Sequence, residues 1–324
     1  MEKFTKQQLI NTLKDGDQVR DIFVVKIKKS IAPYAKGFSL TFILSDSSGG
    51  SIEYKYWGGS DEAKVKEIYD SIKSDSVVYV RGKVSSYQGK MQITSDSFGE
   101  IRALNPEEYE AEFIMGAKKN IEEMNTLLLS KINSLKNPLL TEFLIEIFEK
   151  DFKETFKKHP GAIQIHHNWV GGLIQHTLEV VEYCETAFKL HPELDRDLLI
   201  SGAILHDIGK LEELEITSRI KGSRKGQFVG HLTLGIIYLS EKLKTSKLDE
   251  LSKEKLIHLL ASHHGKLEFG SPKVPMLPEA CALYYSDELS SKVSEMLGQI
   301  ELNKETTEDD FFYDFKKGSS VFLR

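Results

Sequence analysis

The sequence predicts a multidomain α and β protein: a small β-barrel in its first third, then an all-α helical bundle. Three observations carry this. Residues 38–44 and 51–57 alternate apolar and polar side chains, the period of a half-buried strand. From about residue 105 the apolar spacing changes to that of amphipathic helices. Downstream, histidines and aspartates recur one helical segment at a time. The length of 324 residues suits two domains, and 40% apolar with 28% charged residues is the balance of a folded soluble chain, not a disordered one.

The strands come first. VRDIFVVKIKK (19–29) is rich in β-branched residues. In FSLTFIL (38–44), Phe38, Leu40, Phe42 and Leu44 share one face. SIEYKYW (51–57) sets Ile52, Tyr54 and Tyr56 opposite Glu53, Lys55 and Trp57, and DSSGG (46–50) is the turn between the two runs. DEAKVKEIYDSIK (61–73) reads as a short helix. VVYVRGKV (77–84) and MQITSD (91–96) then form a hairpin through YQGK. Three strands, a helix and two strands is the order of an OB-fold barrel, a fold that commonly grips single-stranded nucleic acid. Phe38, Phe42, Tyr54, Tyr56, Trp57 and Tyr87 are candidates to stack on bases, although alternation sends half of each strand inward and any single aromatic is more often core. Phe38, Tyr56 and Trp57 are carried forward as substrate-binding candidates. Lys26, Lys28, Lys29, Lys55, Arg81 and Lys83 are candidates for phosphate contacts, each also readable as ordinary surface charge.

The expected boundaries are residues 1–104 for the barrel, 105–135 for a helical connector and 136–324 for the bundle. NPEEYEAEF (105–113) has the Asn, Pro and early acids of a helix start. NPLLTEFLIEIFEKDFKETFKKH (137–159) reads as one long amphipathic helix ended by Pro160 and Gly161. Formal charge is -6 overall, +3 over residues 1–104 and -9 over the rest. A mildly basic front does not by itself indicate nucleic acid, and bound divalent ions would reverse the local charge of an acidic rear. Cys184 and Cys281 have no metal or redox spacing, and each reads as a buried free thiol. MEKFTKQQLI lacks the apolar core of a signal peptide, and no apolar run approaches membrane-spanning length, so a cytoplasmic protein is expected.

The chemistry lies in an ordered set. His176 falls early in GGLIQHTLEVVEYCETAF, and His206 with Asp207 ends the apolar run of DLLISGAILHDIGK. His231 opens GHLTLGIIYLSEKL, His263 and His264 end KLIHLLASHH, and Asp287 lies inside EACALYYSDELSSKV. A lone His-Asp pair means little. Five separate helices each offering imidazole or carboxylate means more, because polar groups at a core edge are costly unless paired or metal-bound. Mixed imidazole and carboxylate ligands suit Mn, Fe, Co, Ni or Zn better than Ca or Mg. His176, His206, Asp207 and Asp287 would hold one ion. His231 and His263 or His264, with Asp207 bridging, would hold a second, and the pair would activate water. Lys210 is placed to meet a phosphate oxygen, or equally to be a simple helix-end charge.

This set resembles the HD superfamily of metal-dependent phosphohydrolases. HHNWVGGLIQHT (166–177), HDIGK (206–210) and SHHGKLEFGSPKVPMLPEA (262–280), behind an OB-like segment containing KGFSLTFILSD and SIEYKYW, are similar to the YhaM-type 3′–5′ exoribonucleases over nearly the whole chain. The resemblance implies an N-terminal OB-fold followed by an all-α HD-domain bundle. It implies metal ligation by His176, His206, Asp207 and Asp287, second-ion ligation by His231, His263 and His264, catalysis involving Asp207 and Lys210, and substrate contacts from Lys210 and His167. It implies Mn²⁺ as the favoured cofactor and single-stranded RNA, with single-stranded DNA as a second candidate, as substrate, degraded to nucleoside 5′-monophosphates. Two positions depart from the family pattern, which tends to carry His near 284 and Asp near 290. Here they are Tyr284 and Ser290. The cyclic-dinucleotide phosphodiesterase signature is absent after His264, and the acidic pair of ppGpp hydrolases is absent after Asp207.

Milder expectations cover the rest. His166 is a helix-start residue, Trp169 is core, and Gly171 and Gly172 let a helix approach the site closely. His159, His191 and His258 take no part. The rival functions are an HD phosphohydrolase of free nucleotides with a regulatory barrel, and a non-catalytic single-strand-binding protein. A homo-oligomer stays open.

Overall fold

The computed structural model describes residues 3–95, 100–110, 113, 116–117, 119–163, 167–303, 309–314 and 318–324. The chain divides into two compact units, Met1–Gly116 with Ile216–Ile220, and Ala117–Glu215 with Lys221–Arg324.

In the first unit the expected strands form in the expected order: Gln18–Lys28, Gly37–Ser45, Ser51–Trp57, Val77–Tyr87 and Lys90–Ser95. Two long-range pairings close them into a barrel. Ser51–Trp57 runs parallel to Lys90–Ser95, with Tyr54 beside Ile93. Gln18–Lys28 runs antiparallel to Val77–Tyr87, with Val24 opposite Val77. The hairpin turn rests on Gln88 and Gly89, both left-handed at φ 49° and 75°, as a two-residue turn matched to strand twist requires. Leu40, Phe42, Leu44, Ile52 and Tyr54 fill the interior as the alternation predicts. Helix α1 (Glu62–Ser71), capped by Asp61, adds Val65 to that core, and Ile72 follows it.

Beside this core a buried ion cluster is complete in itself. Lys6 Nζ lies 3.2 Å from Asp21 Oδ2 and 3.6 Å from Asp46 Oδ2, over the Phe23 ring. Asp21 also accepts from the backbone N–H groups of Gln7, Gln8 and Ile22, and Asp46 from those of Ile10 and Ser48. Lys28, a phosphate candidate in the sequence, donates instead to the Tyr69 and Ile72 carbonyls at the end of α1. Lys29 pairs with Glu53.

The expected helix from 105 does not form. Asn105 and Glu108 make a capping box, but it closes only the 3-10 turn Pro106–Glu108. Tyr109 is extended, and Tyr109–Glu110 pairs in parallel with Phe4–Thr5. Tyr109 and Phe113 pack around a cluster of Ile22, Val24, Val77 and Leu104, and that burial outweighs local helix signals. Residues 105–116 therefore belong to the barrel unit, and the second unit starts at Ala117.

The second unit begins with α2 (Ile121–Asn133), capped by Asn120, and α3 (Pro138–Ile145), capped by Asn137. The single helix expected over 137–159 is broken. A π turn, Glu146–Asp151, follows α3, and α4 (Thr155–Lys158) is separate. The wider turn lets Ile147, Phe148 and Phe156 all reach the core, with Phe148 and Phe156 edge to face at 4.8 Å. Next come α5 (Gly172–Leu190), α6 (Arg196–Leu205), α7 (Lys210–Glu213), α8 (Arg224–Val229), α9 (His231–Leu243), α10 (Glu250–Ser262) and α11 (Pro278–Asn303). Helices α5, α6, α10 and α11 pack on one another around a single core. Cys184 is buried there, but Cys281 is exposed, because it lies off the α11 stripe formed by Ala280, Leu283, Tyr284, Asp287 and Ser290. Among the described residues no helix is long and apolar enough to cross a membrane.

Candidate metal centre

The apolar run of α6, wholly buried from Leu198 to Leu205, ends at His206 and Asp207, so the first polar residues after it emerge at the core's edge. Two glycines allow the backbone approaches around them. A Cβ at Gly209 would meet the His231 carbonyl oxygen at 2.0 Å, and one at Gly172 the His167 carbonyl oxygen at 1.9 Å. The first brings Asp207 alongside the start of α9. The second seats the start of α5, which carries His176, as Gly172 was expected to do.

His176, His206, Asp207 and Asp287 converge. His176 Nε2 is 3.2 Å from His206 Nε2, 3.4 Å from Asp207 Oδ2 and 3.0 Å from Asp287 Oδ1. His206 Nε2 is 3.3 Å from Asp207 Oδ2. The other oxygen of Asp207 faces a second group: Oδ1 is 3.8 Å from His231 Nε2 and 4.0 Å from His263 Nε2, and His231 Nε2 is 3.3 Å from His264 Nε2. Asp207 thus presents one oxygen to each of two ligand groups, His176 with His206 and His231 with His263 and His264.

All five imidazoles are held by the same device. Nδ1 of each meets a partner outside the cavity: Ser290 Oγ for His176, the Ala203 carbonyl for His206, Glu213 Oε1 for His231, the Leu260 carbonyl for His263 and the Phe269 carbonyl for His264. With Nδ1 engaged there, Nε2 is left to face inward, the arrangement that orients metal-bound histidines.

The electrostatics agree. Burial lowers His176, His264 and, most strongly, His263, so these rings are neutral and carry lone pairs near pH 7. His206 is raised: burial opposes its charge, but Asp207 and Asp287 outweigh that. Burial would raise Asp207, yet Lys210 and His206 hold its carboxyl well below the usual range. His263 Nε2 is fully buried with no hydrogen-bond partner. An orphaned lone pair, facing imidazole nitrogens and a shared carboxylate, fits a divalent cation and is hard to explain otherwise.

Residues 173–292 match the HD domain family, and residues 25–101 match an OB-fold nucleic acid binding domain. The chain is 35% identical over 289 residues to the 3′–5′ exoribonuclease YhaM of Bacillus subtilis (strain 168), covering 87% of each sequence. The chain belongs to the YhaM family. Among solved structures, the second OB-fold domain of replication protein A from Methanococcus maripaludis matches 31% of the chain and 95% of its own length, at 17% identity and a TM-score of 0.24. A replication protein A heterotrimer bound to single-stranded DNA matches 30% of the chain and 64% of its own, at 23% identity and a TM-score of 0.20.

Ser290 and Tyr284 both have defined surroundings in this YhaM-family chain. Ser290 receives His176 Nδ1 at 3.0 Å, and Tyr284 covers Gly265, the residue after His264. Lys210, expected as a phosphate contact, opens α7 and places Nζ 2.6 Å from Asp207 Oδ2. His167 was expected as a substrate contact. It is buried, left-handed at φ 50°, and its Nε2 lies 3.1 Å from Glu179 Oε2 behind His176. Trp169 is core as expected and donates to Gln175. His159 is buried with Nε2 at the Lys210 carbonyl, and His258 Nε2 accepts from Met276 N–H. His166 lies outside the described residues.

In the barrel, Phe38 and Tyr56 are partly buried and pack against the interior. Trp57 lies on the outward face, its ring 4.7 Å from Tyr34 and beneath Lys55 Nζ at 4.3 Å. Sequence reasoning passed over Glu179 and Glu213, which hold His167 and His231. Burial would raise Glu179, but hydrogen bonds from His167, Gln175 and Ser290 bring it to about 2. The available signal was spacing: Glu179 stands three residues after His176 on one helix, so both share a face.

Proposed function

We propose that this protein is a metal-dependent 3′–5′ exoribonuclease of the cytoplasm, releasing nucleoside 5′-monophosphates from single-stranded RNA and accepting single-stranded DNA. The observation that carries the reading is the two-sided Asp207 carboxylate among five inward-facing Nε2 atoms. His176, His206, Asp207 and Asp287 would hold one divalent ion. His231, His263 and His264, with Asp207 shared, would hold a second, Mn²⁺ being the favoured metal. Such ions supply Lewis acidity, lowering the pKa of water and neutralising charge on a phosphodiester.

The chain's own residues do the rest. The backbone carbonyls, Ser290 and Glu213 hold each ring's outer nitrogen, so Nε2 is presented without rearrangement. Lys210 balances Asp207 and can turn to a phosphate oxygen, a charge-assisted contact from a side chain still 14% exposed. On the barrel, Trp57 and Lys55 form an outward pair, an aromatic face with a cation suited to a stacked base and its phosphate. The domain limits that go with this reading are residues 1–116 for binding the strand and 117–324 for cleavage.

The test is release of mononucleotides from a 3′-unblocked single strand by pure protein with Mn²⁺. No product, or faster turnover of nucleoside triphosphates than of oligonucleotide, would overturn the reading.

A further inference from the structure

The five inward-facing histidines differ in what secures them. His206 and His263 each place Nδ1 at a carbonyl three residues earlier in their own helix, at 2.8 and 2.9 Å. Those acceptors come with the helix and survive any side-chain change. His176 has no such acceptor. Its Nδ1 reaches 3.0 Å across to Ser290 Oγ on α11, 114 residues away. Ser290 in turn donates its O–H to Glu179 Oε2 at 2.9 Å, so toward His176 Nδ1 the hydroxyl is an acceptor, while His176 Nε2 faces Asp287 Oδ1 at 3.0 Å. Glu179 is fixed from its other sides by His167 Nε2 at 3.1 Å and Gln175 Nε2 at 3.0 Å. Ser290 and His176 are both about 2% exposed, so water has little room to replace the hydroxyl.

We propose that Ser290 and Glu179 are positioning residues for the first cation site: a carboxylate acting through a bridging hydroxyl, which holds the proton on His176 Nδ1 and keeps Nε2 as the donor to a divalent ion. Neither touches the ion. They act through the tautomer and orientation of one ligand, an effect outer partners of metal-bound histidine exert in general. The inference rests on the proposed metal site.

The experiment uses the full chain in two measurements. Histidine ¹⁵N spectra of the metal-free protein report which nitrogen of His176 carries the proton, the signal being assigned by its loss in His176→Gln. The parent should show Nδ1–H. Ser290→Ala should lose that preference, and Ser290→Thr, which keeps the hydroxyl, should retain it. Titration with Mn²⁺ followed by electron paramagnetic resonance reports each site. Ser290→Ala and Glu179→Gln should each weaken one site by about 10–100-fold and leave the other unchanged. The double variant should be little weaker than either single one, since the two act in series. Should Ser290→Ala fail to fold, Glu179→Gln and Ser290→Thr carry the comparison. An unchanged His176 tautomer together with unchanged Mn²⁺ affinity in the variants overturns the relay alone. A parent that binds no Mn²⁺ overturns the metal site and the relay with it.

Discussion

Both units bury charge, and they differ in whether the charge is satisfied. In the barrel unit one cation, Lys6, stands between Asp21 and Asp46, and backbone N–H groups take further carboxylate lone pairs. In the bundle two carboxylates and five imidazoles converge, Lys210 supplies the fixed positive charge, and His263 Nε2 is left without a partner. The first cluster is an ion pair within a core, whose role is stability. The second leaves the inward-facing His263 Nε2 without a hydrogen-bond partner among other imidazoles and a shared carboxylate, a donor set that fits a cation.

The contrast can be broken from either side. Asp207→Ala removes the carboxylate shared by both halves of the site. Nuclease turnover with Mn²⁺ should fall on the order of ten-thousandfold, as for residues acting as a unit, while the barrel keeps its melting behaviour. A variant that degrades RNA as well as the parent would end the metal reading. Asp21→Ala should do the reverse. With Lys6 left to Asp46 alone and the Gln7, Gln8 and Ile22 N–H groups stripped of their acceptor, urea unfolding should show a loss of about 3–5 kcal/mol, with Mn²⁺ affinity intact in the folded protein.

A smaller effect sharpens the same contrast. Mn²⁺ at about a hundred times its dissociation constant should stabilise the parent by about 2.7 kcal/mol in thermal melts, and Asp207→Ala should lose most of that gain. Trp57→Ala should weaken single-strand binding by about 1–3 kcal/mol in a fluorescence titration without altering Mn²⁺ affinity. If binding is unchanged, the outward aromatic pair is not the strand's platform.

The smallest effect is in pH. All ten histidines lie after residue 158, so titration near their ordinary value belongs to the bundle. His176, His263 and His264 are lowered from 6.5 by burial. As pH falls below that value, the unfolded chain takes up protons that these folded rings refuse, and stability is lost. His206, raised beside Asp207, works the other way and offsets part of the loss. Urea midpoints in chelator should therefore drop between pH 7.5 and 5.5, and a flat profile would count against neutral buried rings.

Much was legible before any coordinates, for a physical reason. Alternation in 38–44 and 51–57 placed Leu40, Phe42, Leu44 and Tyr54 inside the barrel, because a strand's side chains alternate between its faces and one face must be dry. The structure brings His176, His206 with Asp207, His231, His263 with His264, and Asp287 together, because each sits on or just after a helix whose apolar face fixes its direction. Tertiary packing decided the rest. It turned 105–110 into a turn and a paired strand, put a π turn at 146–151, left Cys281 outside and drew His167 behind the site. It also joined Ser290 to His176 and Glu213 to His231. A sequence states which face of an element is apolar. Which hydroxyl on α11 meets which imidazole on α5 depends on how two whole helices dock, and that is set by the summed packing of the core.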